Sequence, residues 1–135
     1  MLIDTNILAS LFIEGPFTES ARQLFAREPY WRSERFILVE MSNVLATQIK
    51  VGRCDLAQAL DTRQQAETLI TPGLIDTPHA TALALAAQFK VSAYDARYLG
   101  AAQTLGLRLI TEDTRLRRAA PDLTQSLAEA LAELA

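Results

Sequence analysis

Two apolar segments, Met1–Ile3 and Leu107–Ile110, read as strands of only three and four residues. Each runs straight into acidic or polar text, Asp4 after the first and Thr111-Glu112-Asp113 after the second. The rest of the chain is helical in pattern. Asn6–Ile13 is stopped by Gly15-Pro16, and a second helix begins with Thr18 as its cap and runs to about Glu28. Tyr30–Arg32 is a candidate short strand. Arg35–Lys50 carries Ile37, Met41, Val44, Leu45 and Ile49 on one face and ends at Gly52. Asp55 caps Leu56–Ile70, Leu74-Ile75 is a very short candidate strand, Pro78–Phe89 is an Ala/Leu-rich helix, and a further helix over Tyr94–Leu105 buries Tyr98, Leu99, Ala102 and Leu105 as core and stops at Gly106. Asp113 starts a short helix that ends before Pro121. Ala119–Ala135 reads as helix, with Leu123, Leu127, Leu131 and Leu134 as its stripe. Short strands alternating with helices imply one α/β domain with a parallel sheet, spanning residues 1–135. Ligands of such sheets gather beyond the carboxyl ends of the strands, and that is where Asp4 and Asp113 lie.

Two further acids stand in apolar contexts: Glu40 in FILVEMSNVL and Asp95 in VSAYDARYLGAA. Each of the four has a structural alternative. Asp4, Asp95 and Asp113 suit helix caps, and Glu40 suits a helix boundary with its head in solvent. If the fold gathers them, two carboxylates about 5 Å apart repel by roughly 3 kcal/mol at an effective dielectric near 20. Such a cluster needs protons or a cation, and hard oxygen ligands suit Mg²⁺ or Mn²⁺. Thr5, Asn6 and Thr111 are placed to orient the carboxylates, and Asn43 to hold Glu40 inward. Glu112 is expected to point away as a reserve ligand.

Composition narrows the partners. Half of the 135 residues are hydrophobic, enough for a core. The net charge of -3 and pI near 5.1 give no general attraction for nucleic acid. The basic residues are 11 Arg and two Lys, and Arg favours bidentate phosphate contacts. Arg97, Arg115 and Arg118 are the candidates for such contacts. One cysteine, Cys54, excludes an internal disulfide and a Cys-rich zinc site. His79 is the only histidine, so catalysis by a histidine pair is excluded, and it reads as structural or exposed. No cleavable leader or membrane span is expected, and a reducing cytoplasm fits.

At these residues the chain resembles a PIN domain, more specifically a VapC-like toxin ribonuclease of a type II toxin–antitoxin pair. The matching motifs are Met1–Asn6, the Leu38-x-Glu40-x-x-Asn43-Val44-Leu45 helix, Tyr94–Ala102 (YDARYLGAA), and Leu109-x-Thr111-x-Asp113-x-x-Leu116. They occur in the family's order over about residues 1 to 120. The resemblance implies a three-layer α/β/α domain with a short central parallel sheet surrounded by helices. It implies that Asp4, Glu40, Asp95 and Asp113 are the acidic quartet that binds Mg²⁺ or Mn²⁺, supported by Thr5, Asn6 and Thr111. It also implies an RNA substrate, an antitoxin whose C-terminal segment covers the acidic groove, and a homodimer. Leu11, Phe12, Phe17, Phe25 and the final helix offer contact faces. The family's sheet would carry further strands after residue 70 and near the C terminus, where this chain reads as a short segment and as helix.

The expected chemistry is hydrolysis of an RNA phosphodiester by a metal-bound water, with a carboxylate such as Asp4 or Asp113 accepting the proton. Three alternatives stand beside it. One is a PIN-like binding module without activity, and another is a PIN nuclease of RNA processing outside any toxin pair. The third is an acidic-site phosphatase or phosphoacceptor, for which Asp4-Thr5-Asn6 lacks the second Asp of an Asp-x-Asp pair.

Overall fold

A computed structural model describes residues 1–135. In chain order the elements are β1 (Leu2–Ile3), α1 (Thr5–Phe12), α2 (Thr18–Arg27), β2 (Ser33–Glu34), α3 (Ile37–Lys50), α4 (Leu56–Ile70), a 3₁₀ turn (Thr71–Gly73), β3 (Leu74–Ile75), α5 (His79–Phe89), α6 (Ala93–Leu105), β4 (Leu109–Ile110), α7 (Thr114–Ala119), β5 (Thr124–Gln125) and α8 (Leu127–Glu133).

All strand pairs are parallel. β1 pairs with β4 (Leu2 with Leu109, Ile3 with Ile110), β4 with β5, and β2 with β3. The Ile3 N–H donates to the Arg32 carbonyl (2.9 Å) and the Arg32 N–H to the Met1 carbonyl (2.7 Å). These bonds join the two sheets into the order β3-β2-β1-β4-β5. The chain therefore moves one way from β1 to β3 and then returns to the opposite side for β4 and β5. Right-handed crossovers put α1 to α4 on one face and α5 to α7 on the other. The helix contacts agree: α1 meets α2, α3 and α4, α3 meets α4, and α5 meets α6. With both faces covered, Leu2, Ile3, Leu109 and Ile110 are fully buried. The reversal between β1 and β4 is the crevice where such sheets bind ligands.

Local chemistry fixes the helix ends. Ser92 caps α6 by accepting from the Asp95 N–H (3.0 Å), and Gly106 closes it in the left-handed region at φ +63°. Asp55 and Gln58 form a reciprocal capping box on α4. Gly73 permits a close crossing: a Cβ there would lie 2.3 Å from the Trp31 carbonyl oxygen.

Glu34, at the end of β2, is a fully buried charge. Its Oε1 accepts from the Phe36 N–H (2.7 Å) and from Arg97 Nε (3.1 Å), and its Oε2 accepts from the Thr77 N–H (2.6 Å). One carboxylate thus ties the start of α3 and the β3–α5 loop to α6.

Several expectations are corrected. Residues Ala119 to Ala135 are not one helix. α7 ends at Ala119, β5 closes the sheet at Thr124–Gln125, and only Leu127–Glu133 is helical again. Thr-Gln carries no apolar signal, and the strand is made by backbone: the Leu109 N–H donates to the Leu123 carbonyl (2.8 Å) and the Thr111 N–H to the Gln125 carbonyl (2.9 Å). Ser126 then caps α8. The strand expected at Tyr30–Arg32 forms at Ser33–Glu34, with Arg32 in a single bridge to Leu2. Thr18 does not cap α2. It lies inside the helix, where its hydroxyl accepts from the Gly15 N–H and donates to the Ile13 carbonyl, closing the preceding loop. Of the expected contact faces, Leu11, Phe12 and Phe25 pack on the core and Phe17 is exposed.

Candidate active site

Asp4, Glu40, Asp95 and Asp113 line one cleft of about 540 Å³ at the sheet's reversal point. β1 delivers Asp4, α3 Glu40, the first turn of α6 Asp95, and the turn after β4 Asp113. No Lys or Arg lines this cleft.

Asp4 is nearly buried, with 7% of its surface exposed. It caps α1, as Asp does well, through Oδ1, which accepts from the Thr5 N–H (2.7 Å). Its Oδ2 accepts from the Thr111 hydroxyl (2.7 Å) and from Asn6 Nδ2 (3.3 Å). Asn6 Nδ2 also reaches Thr111 Oγ1 (3.2 Å), and Asn6 Oδ1 accepts from the Glu112 N–H (3.1 Å). The ends of β1 and β4 are thereby cross-braced around Asp4. Burial pushes the Asp4 carboxyl up to about 6, opposed by the Thr111 and Thr5 hydrogen bonds and reinforced by Glu40 and Asp95.

Glu40 is held by residues other than Asn43, which is exposed. Its Oε1 accepts from the Tyr98 hydroxyl and lies 3.1 Å from Thr5 Oγ1. The Thr5 and Tyr98 hydroxyls are 2.9 Å apart. Tyr98 is buried, and desolvation together with Glu40 drives its phenol further above its ordinary range, so it stays a neutral donor.

Asp113 caps α7: Oδ1 accepts from the Arg115 (3.0 Å) and Leu116 (3.1 Å) N–H groups, leaving Oδ2 without a protein partner. Burial, then Asp113 and Glu40, raise the Asp95 carboxyl above its usual range, against a lowering by the Ser92 hydroxyl and by Arg115. Helix capping and cleft lining therefore coexist in Asp4 and Asp113. Glu112 points away as expected, with Oε1 accepting from the Leu127 N–H (2.8 Å) and Oε2 from Arg117 Nη1 (3.4 Å).

The donor set fits a hard divalent cation. It offers the partly buried Asp95 carboxylate, one Asp113 oxygen without a protein partner, and Asp4, a buried carboxylate with only neutral donors around it. No three of the acids converge closely enough to form a ready-made ion cage. A cation that retains several waters, as Mg²⁺ does, needs only one or two carboxylates.

The basic candidates separate. Arg97 is tied to Glu34, and its Nη1 donates to Nδ1 of the exposed His79 (3.2 Å). It borders a neighbouring cavity and not the acidic cleft. Arg115 is exposed and, with Lys90, lines a cavity on the other side of Asp95 and Asp113. Arg118 is exposed on α7 and lines neither. Sequence reading took Tyr98 as plain core. A buried tyrosine needs a partner for its hydroxyl, and its place one turn after Asp95 was the available signal. Glu34 was not singled out. No helix is long and apolar enough to cross a membrane.

Comparison with known proteins agrees with this architecture. No curated protein sequence matches significantly. Among solved structures, PAE2754 from Pyrobaculum aerophilum aligns with a TM-score of 0.78 at 21% identity, over 98% of this chain and 87% of its own. A toxin–antitoxin complex from Klebsiella pneumoniae aligns with a TM-score of 0.64 at 28% identity, over 89% and 92%. FitAcB from Neisseria gonorrhoeae aligns with a TM-score of 0.66 at 18% identity, over 93% and 94%. The PIN domain family matches residues 1–121, nearly the whole sequence, and the chain belongs to that family.

Proposed function

We propose that this PIN domain is a metal-dependent endoribonuclease and the toxin of a toxin–antitoxin pair, acting in the cytoplasm as a homodimer. The observation that carries the reading is the gathering of Asp4, Glu40, Asp95 and Asp113 in one cleft that contains no Lys or Arg. Asp4, Glu40, Asp95 and Asp113 would hold Mg²⁺ or Mn²⁺. Such an ion, when bound, lowers the pKa of a water and offsets charge on the phosphate.

The protein's own contribution is positioning and proton handling. Thr5, Asn6 and Thr111 fix the Asp4 carboxylate through three hydrogen bonds. Tyr98 and Thr5 aim Glu40 into the cleft. Asp95, which burial and the neighbouring acids hold above its usual carboxylate range, is suited to accept a proton from the attacking water. Asp113 spends one oxygen on α7 and keeps the other for the cleft. Arg115 and Lys90, beside the acids, suit the phosphates of a bound strand. The antitoxin partner is supported by the likeness to the Klebsiella pneumoniae complex.

The test is cleavage of a pooled tRNA and rRNA sample by the purified protein with Mn²⁺ or Mg²⁺, beside EDTA and beside Asp95→Asn. Discrete fragments that vanish in both controls are expected. A folded, metal-supplemented, antitoxin-free sample that cuts nothing would sink the nuclease reading for this RNA pool.

A further inference from the structure

The acidic cleft does not stop at the carboxylates. It continues over an aromatic ridge into a second cavity of about 490 Å³. Phe36, at the start of α3, and Tyr94, in the first turn of α6, form the ridge. Their rings are stacked, with centroids 5.2 Å apart and planes within 7°. Phe36, Tyr94 and Val39 line both cavities. Tyr94 is 63% exposed, which leaves a large aromatic surface in water.

The far side of the ridge carries cations. The first cavity is walled by acids and has no Lys or Arg, whereas the second holds Arg35, Arg97 and His79 with Asp76 as its one acid. Arg35 pairs with Asp76 at 3.1 Å, but both side chains are more than half exposed. An exposed pair of this kind holds weakly and can exchange its carboxylate for a phosphate. Arg97 uses Nε on Glu34 and Nη1 on His79, which leaves Nη2 without a protein partner.

We propose that the second cavity is a nucleotide subsite: a base flanking the cleaved bond stacks on Tyr94, and its adjoining phosphate meets Arg35 and Arg97. This assignment rests on the nuclease reading and specifies where the strand beside the cleaved bond lies. Three features in line (an acidic reaction cleft, an exposed aromatic platform and a cationic far wall) match the repeating chemistry of a nucleic acid strand. A paired base hides its faces in the duplex stack, and only an unstacked strand offers one to Tyr94. An apolar peptide segment would use the ridge but would make no use of the exposed Arg35 or of Arg97 Nη2.

The test is binding of short homopolymeric single-stranded RNAs, oligo-A and oligo-U, to the full chain in EDTA, followed by fluorescence anisotropy. Tyr94→Ala is expected to weaken binding roughly 5- to 150-fold. Tyr94→Phe should keep the affinity, because stacking needs the ring and not the hydroxyl, and Arg35→Ala should flatten the salt dependence. Unchanged thermal unfolding of Tyr94→Ala establishes that the variant is folded. Wild-type affinity in folded Tyr94→Ala would overturn the subsite and leave the ridge to a protein partner, even if the wild type cleaves RNA. Tyr94-dependent binding without any cleavage by the wild type would uphold the subsite and count against the nuclease.

Discussion

Neighbouring strands each end in a buried carboxylate, and the two are provided for differently. Glu34, at the end of β2, is fully buried, and it receives two backbone N–H groups and the guanidinium of Arg97. Asp4, just past β1, is almost as buried, yet its donors are one backbone N–H, one hydroxyl and one amide. Glu34 has its counter-charge built into the fold, whereas Asp4 has none and stands with three other acids in its cleft. A buried charge with a permanent partner is architecture. A buried carboxylate with only neutral donors has no counter-charge in the fold, and it is the one that would gain most from a cation.

Breaking the first arrangement should have the largest effect. Arg97→Ala leaves Glu34 buried and uncompensated, and a loss of about 3–5 kcal/mol in urea-unfolding free energy is expected. The double variant Glu34→Gln/Arg97→Met should recover much of it. A loss below 1 kcal/mol in the single variant would show that water reaches Glu34 and that the contrast with Asp4 is false.

Asp4 should respond in the opposite sense. Its folded carboxyl titrates near 6, above its ordinary value of 3.8. Between these values the native state holds the proton that the unfolded chain has released. Metal-free stability should therefore fall as pH rises from about 4 to 6 and level off above, by about 3 kcal/mol in all. Asp4→Asn in EDTA should be the more stable protein at pH 7 and should show a shallower slope, with the raised Asp95 carboxyl supplying the remainder. A wild-type melting temperature flat over that window would refute the account.

A divalent cation should supply what Asp4 lacks. Mn²⁺ at about a hundred times its dissociation constant should stabilise the wild type by about 2.7 kcal/mol, and thermal melts of Asp4→Asn should show a smaller gain. Equal gains would place the ion elsewhere. The smallest effect belongs to Thr111→Val, which removes the shortest side-chain bond to Asp4 and should cost about 1–2 kcal/mol. Because that hydroxyl favours the ionised carboxylate, its loss should also move the Asp4 titration to higher pH. NMR of the Asp4 carboxyl reads this directly, and an unmoved titration would show that Thr111 only fills space.

What was legible in the sequence follows from the kind of signal involved. β1 and β4 are wholly apolar and buried on both faces, so hydropathy marks them and their ends point to Asp4 and Asp113. α6 announces itself through Ser92 before it and Gly106 after it. β5 was invisible because Thr124 and Gln125 join the sheet by backbone hydrogen bonds, which any residue type can make. The partners of Glu40 were also hidden, since Tyr98 lies 58 residues away in sequence. Glu34 carries no signal in SERF that sets it apart, and only the approach of Arg97, 63 residues on, gives it a role.

Glu112 sits between two residues of the acidic cluster's turn, and its backbone N–H already binds Asn6. Its carboxylate is parked elsewhere by the first N–H of α8 and by Arg117. The last helix supplies none of the four cleft acids, yet it holds a fifth negative charge away from them. The number of charges facing the cleft is thus set in part by an element that contributes no acid to it.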